Sequence, residues 1–191
     1  MEQVDIDGIT LAYAVTGAGQ PVICIHGALI ADAFQPLLTE PSLASRYQLI
    51  SYHRRGHGNS SRASGPISIA QQAADCGALL AHLGVQQAHV VGHSFGGATA
   101  LQLALDTPFV VHSLALIEPA LMIGESGGSY REALARGAQR YRKADPAVVV
   151  DEFLQARWPG YQERLDRLCR APSPRRWPTR GPGSRSTSRR C

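Results

Sequence analysis

The feature that most restricts the fold of this chain is the segment GHSFGG, residues 92–97. It follows the apolar run AHVV and opens the apolar run GGATALQLAL, so a strand gives way to a helix within a few residues. Glycines on both sides of Ser94 relieve the crowding that such a sharp turn imposes on the backbone. The segment therefore predicts a strand, a tight turn and a helix from about Gly96 to Thr107, which stops at Pro108.

Strand-like and helix-like segments alternate over the first 117 residues. Short β-branched runs lie at 21–25, 47–52, 89–91 and 110–117, and Asp7-Gly8 is typical of a hairpin turn near the start. A helix lies between the second and third of these runs; Ser68 and Gln71 form a capping box, and Gly84 ends it. This alternation predicts the α/β class, with a mostly parallel sheet that carries helices on both faces.

The pattern changes at Glu118, after which only helical segments follow as far as Leu168. Ser129 and Glu132 form a second capping box, and Asp145-Pro146 is a good N-cap followed by a first-turn proline. We therefore predict three parts: a core over 1–117, a helical excursion above the sheet over 118–168, and an irregular tail rich in arginine, proline and serine over 169–191.

Composition excludes several classes of protein. Hydrophobic residues make up 44% and charged residues 18% of the chain, which is ordinary for a globular protein. The acidic N-terminus MEQVDIDG argues against a signal peptide, and the lack of a long apolar run argues against a membrane segment. We therefore expect a cytoplasmic location. The four cysteines and seven histidines have no metal-ligand spacing, so we predict no metal and no cofactor.

The net charge of +4 arises from the tail alone. Residues 169–191 carry seven of the 19 basic residues and no acidic residue, so residues 1–168 have a net charge of −3. One interpretation is a disordered basic segment that binds nucleic acid or phosphate groups. Its composition nevertheless breaks off inside the amphipathic run YQERLDRL, which is an unusual place for a linker.

A one-nucleotide shift of reading frame is the second interpretation of the tail. In the other frame, the first two bases of each tail codon become the last two bases of a codon. The TG of cysteine and tryptophan codons then ends a codon for Leu, Met or Val, and the TC of serine codons ends one for Phe, Leu, Ile or Val, all of them apolar. Under Cys169, Ser173 and Trp177 these apolar residues recur with a helical spacing of four. We favour this interpretation, and we expect a C-terminal part that is truncated or frameshifted and no nucleic-acid partner.

Two further motifs precede the GHSFGG segment. Ile25-His26-Gly27-Ala28 ends one strand, and the glycine-spaced loop YHRRGHGNS, residues 52–60, leaves the next. The order of strand-HG, strand-(D)xRGxGxS and strand-GxSxG resembles the α/β-hydrolase family over residues 1–168. His53 stands where that loop more often carries aspartate, and this departure does not touch the chemistry.

The resemblance implies a serine hydrolase that acts on a small ester or a related carbonyl compound. Ser94 would be the nucleophile at a nucleophile elbow, and the backbone N–H groups of Ala28 and Phe95 would bind the oxyanion. The helices from residue 118 onward would form a lid. His26 would shape the oxyanion loop rather than accept a proton.

The family's remaining catalytic groups have no clear counterpart. On this fold an acid and then a histidine follow the serine, but His112 is the only later histidine and comes too early in the chain. Glu118 occupies a place where some relatives carry the acid, although it could equally start a helix. We therefore expect impaired activity. Two alternatives remain open: a non-catalytic protein that binds a small molecule, and cofactor-free perhydrolase or haloperoxidase-like chemistry.

Overall fold

The computed structural model describes residues 1–62, 65–125 and 127–164. The chain divides into two compact units, Met1–Gly128 and a second that begins at Ser129. The elements of the first unit, in chain order, are the strands and helices β1 (Glu2–Ile6), β2 (Ile9–Thr16), β3 (Gln20–Ile25), α1 (Gln35–Leu38), α2 (Pro41–Ala44), β4 (Tyr47–Tyr52), α3 (Ile69–His82), β5 (Ala88–His93), α4 (Phe95–Asp106) and β6 (Val111–Ile117).

Six strands form one sheet in the order β1-β2-β4-β3-β5-β6 within the described residues. The pairs β3–β4, β3–β5 and β5–β6 are parallel, whereas β1–β2 and β2–β4 are antiparallel. The predicted α/β class with a mostly parallel sheet is therefore confirmed. In the part of the chain that the structure describes, β6 is an edge strand, paired with β5 alone.

Side chains alternate between the two faces of each central strand, and both faces are covered. Ile23, Ile25 and Ile50 belong to the main hydrophobic cluster, which they share with residues of α3 and α4. Cys24 and Ser51 lie on the opposite face and line a small space. That space is closed by α1 and the segment before it, mainly through residues such as Phe34 and Leu38.

Local sequence determines where most elements begin and end. Asp7 and Gly8 take positive φ angles of 48° and 80° in the β1–β2 turn, and the predicted capping box of Ser68 and Gln71 starts α3. The prediction for α4 is one residue late, since the helix starts at Phe95 and ends at Asp106. The strand predicted from residue 110 begins at 111, because Pro108–Val110 form a 3₁₀ turn first.

The second unit is helical over its described part. The helices are α5 (Gly127–Lys143) and α6 (Pro146–Arg157). Asp145 caps α6 as predicted, and its carboxylate accepts a hydrogen bond of 2.8 Å from the Ala147 N–H. The predicted start of α5 at Ser129 is wrong, since this residue lies inside the first turn. None of the helices in the described ranges is long and apolar enough to cross a bilayer.

The lid role predicted for residues 118–168 stays a prediction. The predictions for the tail at 169–191 fall outside the described residues.

The packing of α3 on the sheet generates a stability prediction. Leu79 of α3 is fully buried in the main cluster, whereas Leu105 of α4 is 70% exposed. Leu79→Ala leaves a cavity and should lower the free energy of unfolding by about 2–5 kcal/mol. Leu105→Ala, the same change on the surface, should alter it by no more than about 0.5 kcal/mol. Chemical denaturation of both variants checks this, and equal losses would contradict the described core.

Candidate active site

Ser94 lies between β5 and α4 in a strained backbone conformation. Its φ of 53° and ψ of −119° belong to a region that non-glycine residues rarely occupy. The Ser94 N–H donates to the carbonyl oxygen of Ile117 at 3.0 Å, and the Ser94 carbonyl oxygen accepts from the Ala120 N–H at 2.9 Å. Hydrogen bonds from both ends of this residue therefore tie the turn to the segment that leaves β6.

The turn is tight because three glycines permit close backbone approach. A Cβ on Gly96 would overlap the carbonyl oxygen of Ile25 and lie 2.5 Å from that of His26. On Gly92 it would lie 2.7 Å from the Cα of Gly97, and on Gly97 it would lie 2.9 Å from the Cβ of Pro119. No side chain fits at these positions without movement of the backbone. The glycine pattern of the sequence thus has a steric cause in the fold.

The strand β3 brings its own end beside the turn. A Cβ on Gly27 would lie 3.3 Å from the Cβ of Ser94, so the two segments are in contact. The N–H groups of Ala28 and Phe95 donate no hydrogen bond to any of the described residues. The sequence-predicted residues Ser94, Ala28 and Phe95 therefore come from two neighbouring strand ends, and two backbone donors there are free.

His26 is buried and held by backbone groups on both ring nitrogens. Its Nδ1 lies 2.7 Å from the carbonyl oxygen of Gly27, which can only accept, and its Nε2 accepts from the Arg54 N–H at 3.0 Å. These partners require the neutral ring with the proton on Nδ1. Burial, aided by the nearby charge of Arg54, lowers the pKa of His26 to about 3. This geometry agrees with a structural role for His26, which shapes the loop that carries Ala28.

Arg54 and His57, in the loop after β4, form hydrogen bonds with the segment 26–28. The Arg54 side chain is buried, and it donates from Nε to the carbonyl oxygen of His26 at 3.0 Å and from Nη2 to that of Gly27 at 2.8 Å. The Nε2 of His57 lies 2.9 Å from the carbonyl oxygen of Ala28. Burial lowers the pKa of His57, and the charge of Arg54 lowers it further.

His53, the departure from the family pattern, still organises this loop. Its Nδ1 accepts a hydrogen bond of 3.0 Å from the Asn59 N–H, as a carboxylate there could. Its Nε2 lies 3.0 Å from a carboxylate oxygen of Asp32, in the segment that follows Ala28. His53 therefore bonds within its own loop and links that loop to the neighbouring segment.

The two later candidates for acid and base are placed very differently. His112 lies near the start of β6, whereas Ile117, at the other end of the strand, pairs with His93 beside the turn. At about 3.3 Å per residue, His112 is therefore about 16 Å from the turn. Its ring contacts Gln87 at 3.3 Å. Glu118 directly follows β6, is exposed and has a positive φ of 43°. It lies next to the Ser94 turn, because the preceding residue, Ile117, accepts the hydrogen bond of the Ser94 N–H.

Sequence reasoning missed Arg54. The loop motif contains two adjacent arginines, and nothing in the motif distinguishes them. In the structure Arg54 donates to Gln72 of α3, whereas Arg55 binds the carboxylate of Asp75 one turn later. The spacing of Gln72 and Asp75 on α3 was the available clue to the two different roles, since residues three apart share a helix face. Over the described ranges, no cluster of three or more histidine, cysteine or acidic side chains could hold a metal ion.

The neutral state of His26 generates a pH prediction. Its pKa in the folded chain, about 3, is below the ordinary 6.5, so the unfolded chain binds more protons. The stability that the neutral ring confers is complete above pH 6.5 and is lost as the pH falls below that value. His26→Gln can mimic both hydrogen bonds but cannot titrate. Between pH 6 and 4.5 the parent should lose on the order of 2 kcal/mol more stability than His26→Gln, as measured by urea unfolding. Parallel pH dependences would contradict a neutral buried ring.

Comparison with known proteins gives consistent matches. A family model of the alpha/beta hydrolase fold matches residues 20–189. The dihydrolipoyllysine-residue acetyltransferase component of the acetoin cleaving system of Cupriavidus necator is 37% identical over 147 residues, which are 76% of this chain and 39% of that protein. RutD of Azorhizobium caulinodans, which bears the name of a carbamate hydrolase, is 33% identical over 181 residues, 83% of this chain and 67% of RutD.

A solved structure shows the same architecture. The enol-lactonase of Burkholderia xenovorans LB400 aligns with a TM-score of 0.76 at 24% identity, over 87% of this chain and 64% of the lactonase. At 24% identity, the similarity to the lactonase shows a shared fold and nothing about activity. The chain thus spans between 39% and 67% of the length of these three proteins. The match over residues 20–189, together with the sheet order and the turn at Ser94, places this chain in the α/β-hydrolase fold family.

Proposed function

We propose that the protein is a serine hydrolase that cleaves a small ester or a related carbonyl compound, with Ser94 as the nucleophile. The observation that carries the proposal is the backbone of Ser94, held at φ 53° and ψ −119° between a strand and a helix. Such strain persists only where surrounding structure enforces it, and it concentrates at functional sites. Here the enforcing contacts are the close approaches of Gly92 and Gly96.

The surroundings of Ser94 suit acyl transfer. The serine precedes the N-terminus of α4, a helix of 12 residues, where the helix dipole favours negative charge. The free N–H groups of Ala28 and Phe95 are the proposed oxyanion donors. They would strengthen their hydrogen bonds as charge develops on the substrate oxygen, which is the usual source of the largest rate gain in such sites.

The proposed reaction has two steps. The Ser94 oxygen would attack the carbonyl carbon and pass its proton to a general base. The family's chain order places that base after the serine, and none of the described residues is in contact with Ser94 in that role. The carbonyl oxygen becomes an oxyanion between Ala28 and Phe95, then the tetrahedral adduct collapses and the alcohol leaves with a proton. Water then attacks the acyl-serine in the same way and releases the acid. Glu118, beside the turn, remains our candidate for the acid that orients the base.

The relatives and the local surface support the proposed substrate class. The names of two relatives refer to a carbamate and to an acetyl group, both of which contain a carbonyl carbon open to a nucleophile. Leu29 and Ile30, which directly follow Ala28, are 39% and 53% exposed. They would favour an apolar acyl or alcohol part. We also propose a cytoplasmic location, which suits the buried free thiols of Cys24 and Cys76 in the described part of the chain.

A second candidate function is binding of a small carbonyl compound without turnover. It is favoured by the Ser94 hydroxyl, which makes no hydrogen bond with any described residue, so no base is in contact with it in that part of the chain. A serine hydroxyl without a base is a weak nucleophile at its own pKa. The two candidates make opposite predictions for an active-site label.

The test is reaction of the chain with a fluorophosphonate probe, followed by peptide mass mapping. The serine hydrolase proposal predicts that the label appears on Ser94 and that Ser94→Ala abolishes it. Without a general base in contact with Ser94, ester hydrolysis by the parent should be slow. Once such a base acts on Ser94, hydrolysis of a short p-nitrophenyl ester should exceed that of Ser94→Ala on the order of 10³-fold or more.

The matched control is Ser42→Ala, which alters an exposed serine of α2 and should leave labelling and hydrolysis unchanged. A label that persists in Ser94→Ala, or that maps to another serine, would contradict the assignment of the nucleophile. A parent that binds a carbonyl ligand but takes no label would support the binding function instead.

A further inference from the structure

Arg54 is a buried cation whose side chain donates only to neutral groups in the described structure. It is 2% exposed, and its guanidinium donates to the carbonyl oxygens of His26 and Gly27 and to the side-chain amide oxygen of Gln72. Its neighbour Arg55 takes the carboxylate of Asp75, at 2.5 Å from Nε. A buried charge without a carboxylate partner is costly, so its position calls for a reason beyond charge pairing.

The reason is found in the peptide between Gly27 and Ala28. The Gly27 carbonyl oxygen receives two hydrogen bonds, from Arg54 Nη2 at 2.8 Å and from His26 Nδ1 at 2.7 Å. A trans peptide is planar, with its N–H directed opposite to its C=O. Two donors that fix the carbonyl oxygen on one side therefore fix the Ala28 N–H on the other, where it makes no hydrogen bond with the described residues.

We infer that Arg54 is a positioning residue that sets the direction of the Ala28 N–H, so that this amide serves the carbonyl substrate at Ser94. The inference rests on the proposed function for its catalytic consequence, though the orientation itself does not. Arg54 reaches the peptide from the loop after β4, and the adjacent contact between Gly27 and Ser94 brings the peptide to the turn.

Only a guanidinium can donate to all three of these acceptors at once. Its rigid fork supplies several N–H donors in one plane, so one side chain can hold the carbonyl oxygens of two consecutive residues and Gln72 together. Lysine keeps the charge but concentrates its donors on one flexible ammonium. Arg54→Lys therefore separates orientation from charge, and Arg54→Met removes both.

The experiment uses the full 191-residue chain labelled with ¹⁵N. The first readout is the backbone order parameter of Ala28, expected at about 0.85 in the parent and lower in Arg54→Lys and Arg54→Met. The second is the rate at which the fluorophosphonate labels Ser94, expected to fall about 10²-fold in Arg54→Met and at least about tenfold in Arg54→Lys, as for loss of an oxyanion donor. Thermal melts identify the folded fraction, and if Arg54→Met fails to fold, Arg54→Lys carries the test.

The matched control is Arg55→Met. It removes a guanidinium from the same loop and leaves Asp75 without that partner, but its side-chain bonds reach α3 rather than residues 26–28. It should melt at a lower temperature, yet keep the Ala28 order parameter and the labelling rate of the parent. Equal loss of labelling in Arg55→Met and Arg54→Lys would overturn the inference, since loss of stability would then suffice.

The two readouts distinguish the inference from the proposed function. If the parent takes no label, the proposed function fails, and the order parameter alone decides the role of Arg54 in orienting Ala28. An unchanged order parameter in folded Arg54→Lys would overturn the inference. A lowered order parameter with an unchanged labelling rate would also overturn it, because the amide would then be mobile without consequence at Ser94.

Discussion

The site depends on a steric constraint, the close contact of backbone with backbone around Ser94. Gly96 brings the start of α4 against the carbonyl oxygens at the end of β3, and Gly92 lets the strand β5 fold back onto the same helix. A side chain at either position would separate these elements. Because they cannot separate, the residue between them is forced to a positive φ, and the serine hydroxyl is carried at the turn rather than within the strand or the helix.

The second support is a polar network that lies beneath the neighbouring strand end. His26, neutral because burial and Arg54 lower its pKa, and Arg54 itself both bind the Gly27 carbonyl oxygen, while His57 binds that of Ala28. Polar groups buried in this way are stabilising only when all are satisfied. The segment that carries Ala28 is thus held by the loop after β4, which makes the two motifs one structural unit.

Much of the fold could be predicted because its determinants are local. The turn at Asp7-Gly8, the capping box at Ser68 and the strand-to-helix turn at Ser94 each act within a few residues, and all were found there. The start of α5 was missed because a good cap at Ser129 does not prevent a helix from starting earlier. The role of Arg54 could not be predicted, since it depends on contacts with residues 26 and 27, far away in sequence.

The measurement that tests the steric account most directly is the free energy of unfolding of Gly96→Ala against Gly77→Ala. Both glycines lie in helices of the first unit, where alanine is intrinsically favoured by about 1 kcal/mol. At Gly77 the new Cβ would meet only Leu103 at 3.5 Å, an ordinary contact, whereas at Gly96 it would overlap the Ile25 carbonyl oxygen. Gly77→Ala should be neutral or stabilising, and Gly96→Ala should lose about 1–3 kcal/mol or more. Equal stability of the two variants would contradict the account.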